Sequence, residues 1–196
     1  PHLSGLLEAA FFQAHCVEAR QIEDVHLHRA LLAMFAPRKL QMHAKVDTDP
    51  MPSLRAAVEA LPSEAQNALR AVRERVAQDR LPLLSLLEAE PLQMQSSHLT
   101  FQEYFTARAI SKGVHRFPED STAPWQWSSW WRNTVRLGSE MGENFGRGLL
   151  QTARVGAALD LKGMLRGDRP TAIAVVIELM RGLTSLDLSQ NKLDAN

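Results

Sequence analysis

The side chains with the most chemical potential in this sequence are its clustered histidines, its one cysteine and a pair of carboxylates. His26 and His28 are two positions apart, a spacing that puts them on different faces of a helix and argues against a shared metal ion. His15 is followed directly by Cys16, but sequence neighbours are not a catalytic dyad, and a buried structural thiol is the default reading. Glu88 and Glu90 flank Ala89 just before Pro91, in a turn where exposure leaves nothing to raise a carboxyl pKa for acid catalysis. Gly142, Gly146 and Gly148 invite a phosphate-cradle reading, which fails because no Lys-Ser or Lys-Thr pair follows; a P-loop is absent from the whole sequence. The sequence therefore predicts no catalytic residue, no metal ligand and no enzymatic activity of its own.

Composition narrows the classes further. A chain of 196 residues with 45% apolar side chains can bury a sizeable core and accommodates one large or two small domains. Twenty-two basic and 22 acidic residues cancel, so no overall field favours nucleic acid or an anionic membrane. A single cysteine excludes an internal disulfide and fits a reducing, cytoplasmic setting. No apolar run approaches the roughly 20 residues of a membrane span. The chain starts at Pro1 and stops just after a repeat-like motif, which leads to the expectation of a piece of a longer polypeptide.

Most of the elements are predicted to be helical. Leu3, Leu6, Leu7, Ala10, Phe11 and Ala14 make a continuous stripe on a first helix. Asp24 is the expected cap of a second, carrying Val25, Leu31, Leu32 and Phe35 and ending before Pro37. Pro37 to Pro52 reads as an exposed loop, Ser53 as the cap of a short helix through Leu54, Val58 and Leu61, and Ser63 with Gln66 as a capping box ahead of Ala65, Leu69, Val72 and Val76. Leu81 to Leu87, a turn at Glu88–Pro91, and Leu92 and Met94 are read as a β-hairpin, although the Leu-rich run equally fits a helix end. Thr100 and Glu103 form another capping-box pattern, with Leu99 and Tyr104 as its hydrophobic staple and Phe101, Tyr104, Phe105 and Arg108 on one face. All four tryptophans fall between Trp125 and Trp131, where they are expected to pin a loop; the competing reading is an aromatic platform. Glycines 138, 142, 146 and 148 punctuate a helical stretch, and Thr171 to Arg181 reads as a helix closed by Gly182.

Two motifs carry a family resemblance. His98-Leu99-Thr100-Phe101-Gln102-Glu103-Tyr104-Phe105-Thr106-Ala107 resembles the string that closes the winged-helix part of NACHT-type signal-transducing ATPases, the nucleotide-binding leucine-rich-repeat receptors. Leu183-Thr184-Ser185-Leu186-Asp187-Leu188-Ser189-Gln190-Asn191-Lys192-Leu193 matches the leucine-rich-repeat pattern at every specified position. Leu159-Asp160-Leu161 is a weaker echo, 27 residues upstream of Leu186-Asp187-Leu188. Alternating Leu186 and Leu188 are expected to point into a solenoid, with the Asn191 amide satisfying backbone groups at the turn. The resemblance is strong over Pro91 to Ile110 and Leu183 to Leu193 and general elsewhere.

The resemblance implies a mainly α fold with three parts: a winged-helix-like helical domain with a small β-hairpin over 1–112, a Trp-rich helical connector over 113–156, and the start of an α/β leucine-rich-repeat solenoid over 157–196. It implies a coupling role between an ATP- or ADP-binding module outside this chain and a repeat array that binds a protein ligand or signalling partner, with self-association of the parent as a further implication. The family's winged helix contributes a histidine that senses the ADP phosphate. His28 fits that role best and His15 less well, while a bland surface histidine beside His26 is the competing reading. His98 is read as structural. Two alternatives stand beside this: a repeat scaffold without nucleotide switching, and DNA binding through Glu64–Asp79. The second is disfavoured because that helix offsets its arginines with Glu64, Glu74 and Asp79.

Overall fold

Fifteen of the first sixteen residues belong to a helix whose second half is buried on nearly every side, more than the single stripe expected from its periodicity. The computed structural model describes residues 2–38, 51–118, 121–156, 158–162 and 183–191. The chain divides into two compact units, Pro1–Thr106 and Ala107–Asn196. Among the described residues no helix is long and apolar enough to cross a membrane.

The first unit runs α1 (His2–Cys16), β1 (Gln21–Glu23), α2 (Asp24–Phe35), α3 (Met51–Glu59), α4 (Ser63–Ala77), β2 (Leu84–Glu88), β3 (Gln93–Ser96) and the start of α5 (Leu99–Lys112). Leu6, Ala10, Phe11 and Ala14 of α1 meet Leu27, Leu31 and Leu32 of α2, Leu54 and Val58 of α3, and Ala65, Val72 and Val76 of α4 in one apolar core. Each fully buried leucine there contributes about 1.5–3 kcal/mol. The hairpin forms as expected, and β2 and β3 are antiparallel. A third strand, β1, was not expected; it completes a sheet of order β1-β3-β2, pairing Ile22 with Met94. Three residues are too few to show the alternation that marks a strand, and only the open edge of β3 makes Gln21–Glu23 extended.

Helix starts depart from the expected caps. Glu23, and not Asp24, is the N-cap of α2. Helix α3 begins at Met51, so Ser53 lies inside it. Pro62 precedes α4 without a side-chain cap, and Gln66 Nε2 instead donates to the carbonyls of Glu59 and Leu61 at 2.8 and 3.0 Å, closing the end of α3. Helix α5 begins at Leu99, one residue before the expected Thr100, because the His98 carbonyl already accepts the Phe101 N–H at 3.0 Å. Its burial is also rotated: Gln102, Glu103 and Thr106 are inside, while Tyr104 is 41% exposed. Gln102 and Thr106 can be buried because they donate to the carbonyls of Ala19 and Phe11, at 2.8 and 3.5 Å. Phe105 still stacks on Phe11, with ring centres 5.2 Å apart.

The second unit takes up the rest of α5, two 3-10 turns (Pro124–Gln126 and Ser129–Trp131), α6 (Arg132–Glu140), α7 (Glu143–Thr152), and strands β4 (Ala158–Asp160) and β5 (Ser185–Asp187). Trp127 and Trp131 are buried and stacked 4.0 Å apart, and Phe117 packs edge-on against both. Trp127 Nε1 donates to the Thr122 carbonyl at 3.1 Å, so these two rings pin the loop as expected. Of the four glycines, only Gly142 breaks the helical path, at φ +75°. Gly138 and Gly148 lie within helices, where they make room for close packing: a Cβ on Gly138 would sit 2.2 Å from the Phe145 ring, and one on Gly148 1.9 Å from the Ile110 carbonyl oxygen. Strands β4 and β5 are parallel, with Leu159 opposite Leu186 and Asp160 opposite Asp187. The expected loop over 39–50 and the expected helix over Thr171 to Arg181 lie outside the described residues.

Candidate functional site

The start of α2 gathers most of the titratable groups that the sequence points to. Glu23 leaves β1 in extended conformation and its N–H donates to His26 Nδ1 at 3.0 Å, one half of a capping box. That bond fixes the proton of His26 on Nε2. Burial, helped by the charge of Arg29, pushes its pKa down to about 4, so the ring is neutral near pH 7. Two residues on, His28 is 3% exposed, and its Nδ1–H donates to the carbonyl of Asp24, one turn back, at 2.6 Å. A carbonyl can only accept, so Nδ1 carries the proton and Nε2 is the atom left for any ligand.

The Asp24 carboxylate, largely buried, forms a close ion pair with Arg73 Nη2 of α4. Arg73 Nη1 reaches Glu90 Oε1 at 3.5 Å in the β2–β3 turn. A residue 49 positions away therefore ties the start of α2 to the hairpin. No local pattern marks Arg73 for that part; the only sequence signal is an arginine on a helix otherwise rich in compensating charge. Glu88 and Glu90 are exposed, as expected.

The other sequence candidates are placed apart from this cluster or act through their backbone. His15 is fully buried in α1, and burial pushes its pKa down to about 3. Cys16 is buried and is not part of a disulfide. His98 orients the turn before α5 through its carbonyl, which accepts from Ser96 Oγ at 2.6 Å, while its ring packs against Phe101. Among the described residues, no three His, Cys, Asp or Glu side chains converge as metal ligands would.

A second candidate region is the parallel pair β4–β5. Asn191 Nδ2 donates at 2.8 Å to both the Leu161 and the Leu188 carbonyls. Asp160 and Asp187 each accept the N–H two residues on, from Lys162 at 2.9 Å and Ser189 at 2.8 Å. The same turn is thus built twice at the spacing of the two Leu-Asp-Leu strings. Leu159 and Leu161 are buried, but Leu186 is 37% exposed and the whole of β5 lies open, contrary to the expectation that Leu186 points into a core. The echo strand has its neighbour β5 to cover it; β5 has no further strand among the described residues.

No protein-family model, curated protein or solved structure matches the chain.

Proposed function

We propose that this chain is the regulatory and coupling segment of a NACHT-type leucine-rich-repeat signalling receptor, joining a nucleotide-binding module outside the chain to a partner-binding repeat array. The observation that carries this reading is the strand pair of Leu159 with Leu186, closed by Asn191 on the Leu161 and Leu188 carbonyls. Stacked parallel strands with an asparagine bridging successive turns are what the leucine-rich-repeat pattern encodes. The first unit supports the same reading: helices followed by a hairpin and a helix, with sheet order β1-β3-β2, suit a winged helix.

In this reading the chain performs no catalysis. ATP or ADP belongs to the parent protein, and His28, its Nδ1–H held by the Asp24 carbonyl, meets a phosphate oxygen through an Nε2–H, that is, as the imidazolium in which both ring nitrogens donate. The repeats present a surface to a protein ligand or signalling partner in the cytoplasm. The enclosure of His28, at 3% exposed, favours one alternative: a repeat scaffold in which the nucleotide switch is lost.

Substituting His28→Ala in a parent protein that carries the nucleotide-binding module separates the two. Faster ADP loss and raised basal signalling are expected of the switch; unchanged values leave the scaffold. Reading the parent transcript on both sides tests the larger claim: a Walker A sequence upstream and further repeats downstream are expected, and the lack of both overturns it.

A further inference from the structure

Among the described residues, β2 pairs only with β3, so its other side is a free edge of the sheet. The polarity of that edge follows from one bond. The Ser97 N–H donates to the Leu83 carbonyl at 3.0 Å, and Leu84 is opposite Ser96. Hydrogen-bonded pairs alternate along an antiparallel ladder, so Ser85 directs its backbone toward β3, and Leu84 and Leu86 direct theirs outward. The outward Leu84 N–H is taken by the Leu81 carbonyl at 2.8 Å. The Leu86 N–H and carbonyl and the Leu84 carbonyl face away from the sheet.

The side chains beside this edge are apolar and acidic. Leu86 is on the same face as Ile22 and Met94, which are buried, yet it is 37% exposed. A bulge between Leu86 and Glu88 turns Leu87 out as well, to 48%. Glu88 and Glu90 follow, both exposed, and no Lys or Arg occurs from Leu81 to His98. Natural edge strands are blunted by basic or proline residues or by bulges; β2 has a bulge at its far end and no basic or proline residue within Leu84–Glu88, and beside the outward groups of Leu84 and Leu86 it offers two leucines and two carboxylates.

We infer that β2 is a docking edge for an extended segment of a partner protein, one that adds as a fourth strand, covers Leu86 with an apolar side chain and sets lysine or arginine against Glu88 and Glu90. Strand addition draws affinity from the main chain and specificity from alternate side chains. Charge selects the occupant. A second copy of β2 would bring its own carboxylates to an edge that is already acidic, where the nearby cation, Arg73, is shared between Asp24 and Glu90 and no cation among the described residues is paired with Glu88. The inference uses only the sheet of the first unit and stands apart from the receptor reading.

The test uses the full chain, labelled with nitrogen-15, titrated with the peptide acetyl-Lys-Val-Lys-Val-Lys-amide up to about 1 mM, the weak end of specific recognition. Amide shifts confined to Leu84–Glu88 are expected, with affinity falling severalfold between roughly 0.05 and 0.5 M salt. The matching Glu-Val-Glu-Val-Glu peptide should leave those amides unmoved. Leu86→Pro removes the outward donor without touching the β3 ladder and should abolish the shifts. Glu88→Lys, an exposed change that the fold tolerates, should weaken the basic peptide about fivefold and admit the acidic one. Absence of β2 shifts, equal binding of both peptides, or shifts that track protein concentration without peptide would overturn the inference, the last in favour of self-pairing.

Discussion

Asn191 donates its side-chain amide to the Leu161 carbonyl across 30 residues of chain, at 2.8 Å, while the same nitrogen serves the Leu188 carbonyl. One side chain thereby locks two successive turns together. Asn191→Ala leaves both carbonyls to find water and should cost about 1–3 kcal/mol of local stability. Asn191→Asp should cost at least as much, because a carboxylate has no proton for either carbonyl. Hydrogen exchange at the Leu161 amide, which donates to the Asp187 carbonyl at 2.8 Å, reports the loss directly. Unchanged protection in both variants would show that the strands hold without the amide.

Gly148 allows α7 to approach the end of α5. An added Cβ would lie 1.9 Å from the Ile110 oxygen and 2.9 Å from its carbonyl carbon, and a backbone cannot swing aside as a side-chain tip can. Gly148→Ala should destabilise by about 3 kcal/mol, despite the better helix propensity of alanine. Thermal melts of Gly148→Ala against Gly142→Ser distinguish packing from backbone strain. Gly142 has φ +75° and open space around its would-be Cβ, so its cost is conformational only, about 1–3 kcal/mol.

Stability should fall on mild acidification. His26 and His15 are held below the ordinary value of 6.5, at about 4 and about 3, so the unfolded chain binds protons that the folded chain refuses. Their contribution is complete above pH 6.5 and is lost as pH falls toward those values, at about 1.4 kcal/mol per pH unit for each group. Urea melts between pH 7 and pH 5 should show that slope. His26→Asn supplies an oxygen in place of Nδ1 to cap Glu23 and should remove roughly half of it; an unaltered slope would place the pH dependence elsewhere.

Arg73→Ala should cost about 1–3 kcal/mol, since it leaves the largely buried Asp24 carboxylate without its cation. The half-exposed position of Arg73 keeps the figure below that of a fully buried pair. In Asp24→Asn the same Arg73→Ala change should cost less, and a double-mutant cycle that returns no coupling would refute the link.

The helices of the first unit were legible because their core positions repeat at helical spacing, from Leu6 and Phe11 to Val72 and Val76. The hairpin and the likeness of the two Leu-Asp-Leu strings were legible for the same kind of reason, since each rests on residues close in sequence or alike in spelling; that the two strings pair in parallel is visible only in the structure. Caps were read less well. Ser63 with Gln66 and Thr100 with Glu103 have the right spacing, but Gln66 was drawn to the end of the preceding helix and α5 started early.

Local sequence thus determined which segments are helices and which face of most of them is apolar, because those follow from propensity and period within a dozen residues. Tertiary structure decided the rest. It made a strand of Gln21–Glu23 by offering the edge of β3. It put Gln102 and Thr106 inside and Tyr104 outside, because distant carbonyls at Ala19 and Phe11 could take the buried donors. And it turned Arg73 into the partner of Asp24, a pairing that depends on where two helices cross and so on free energies summed over the whole core.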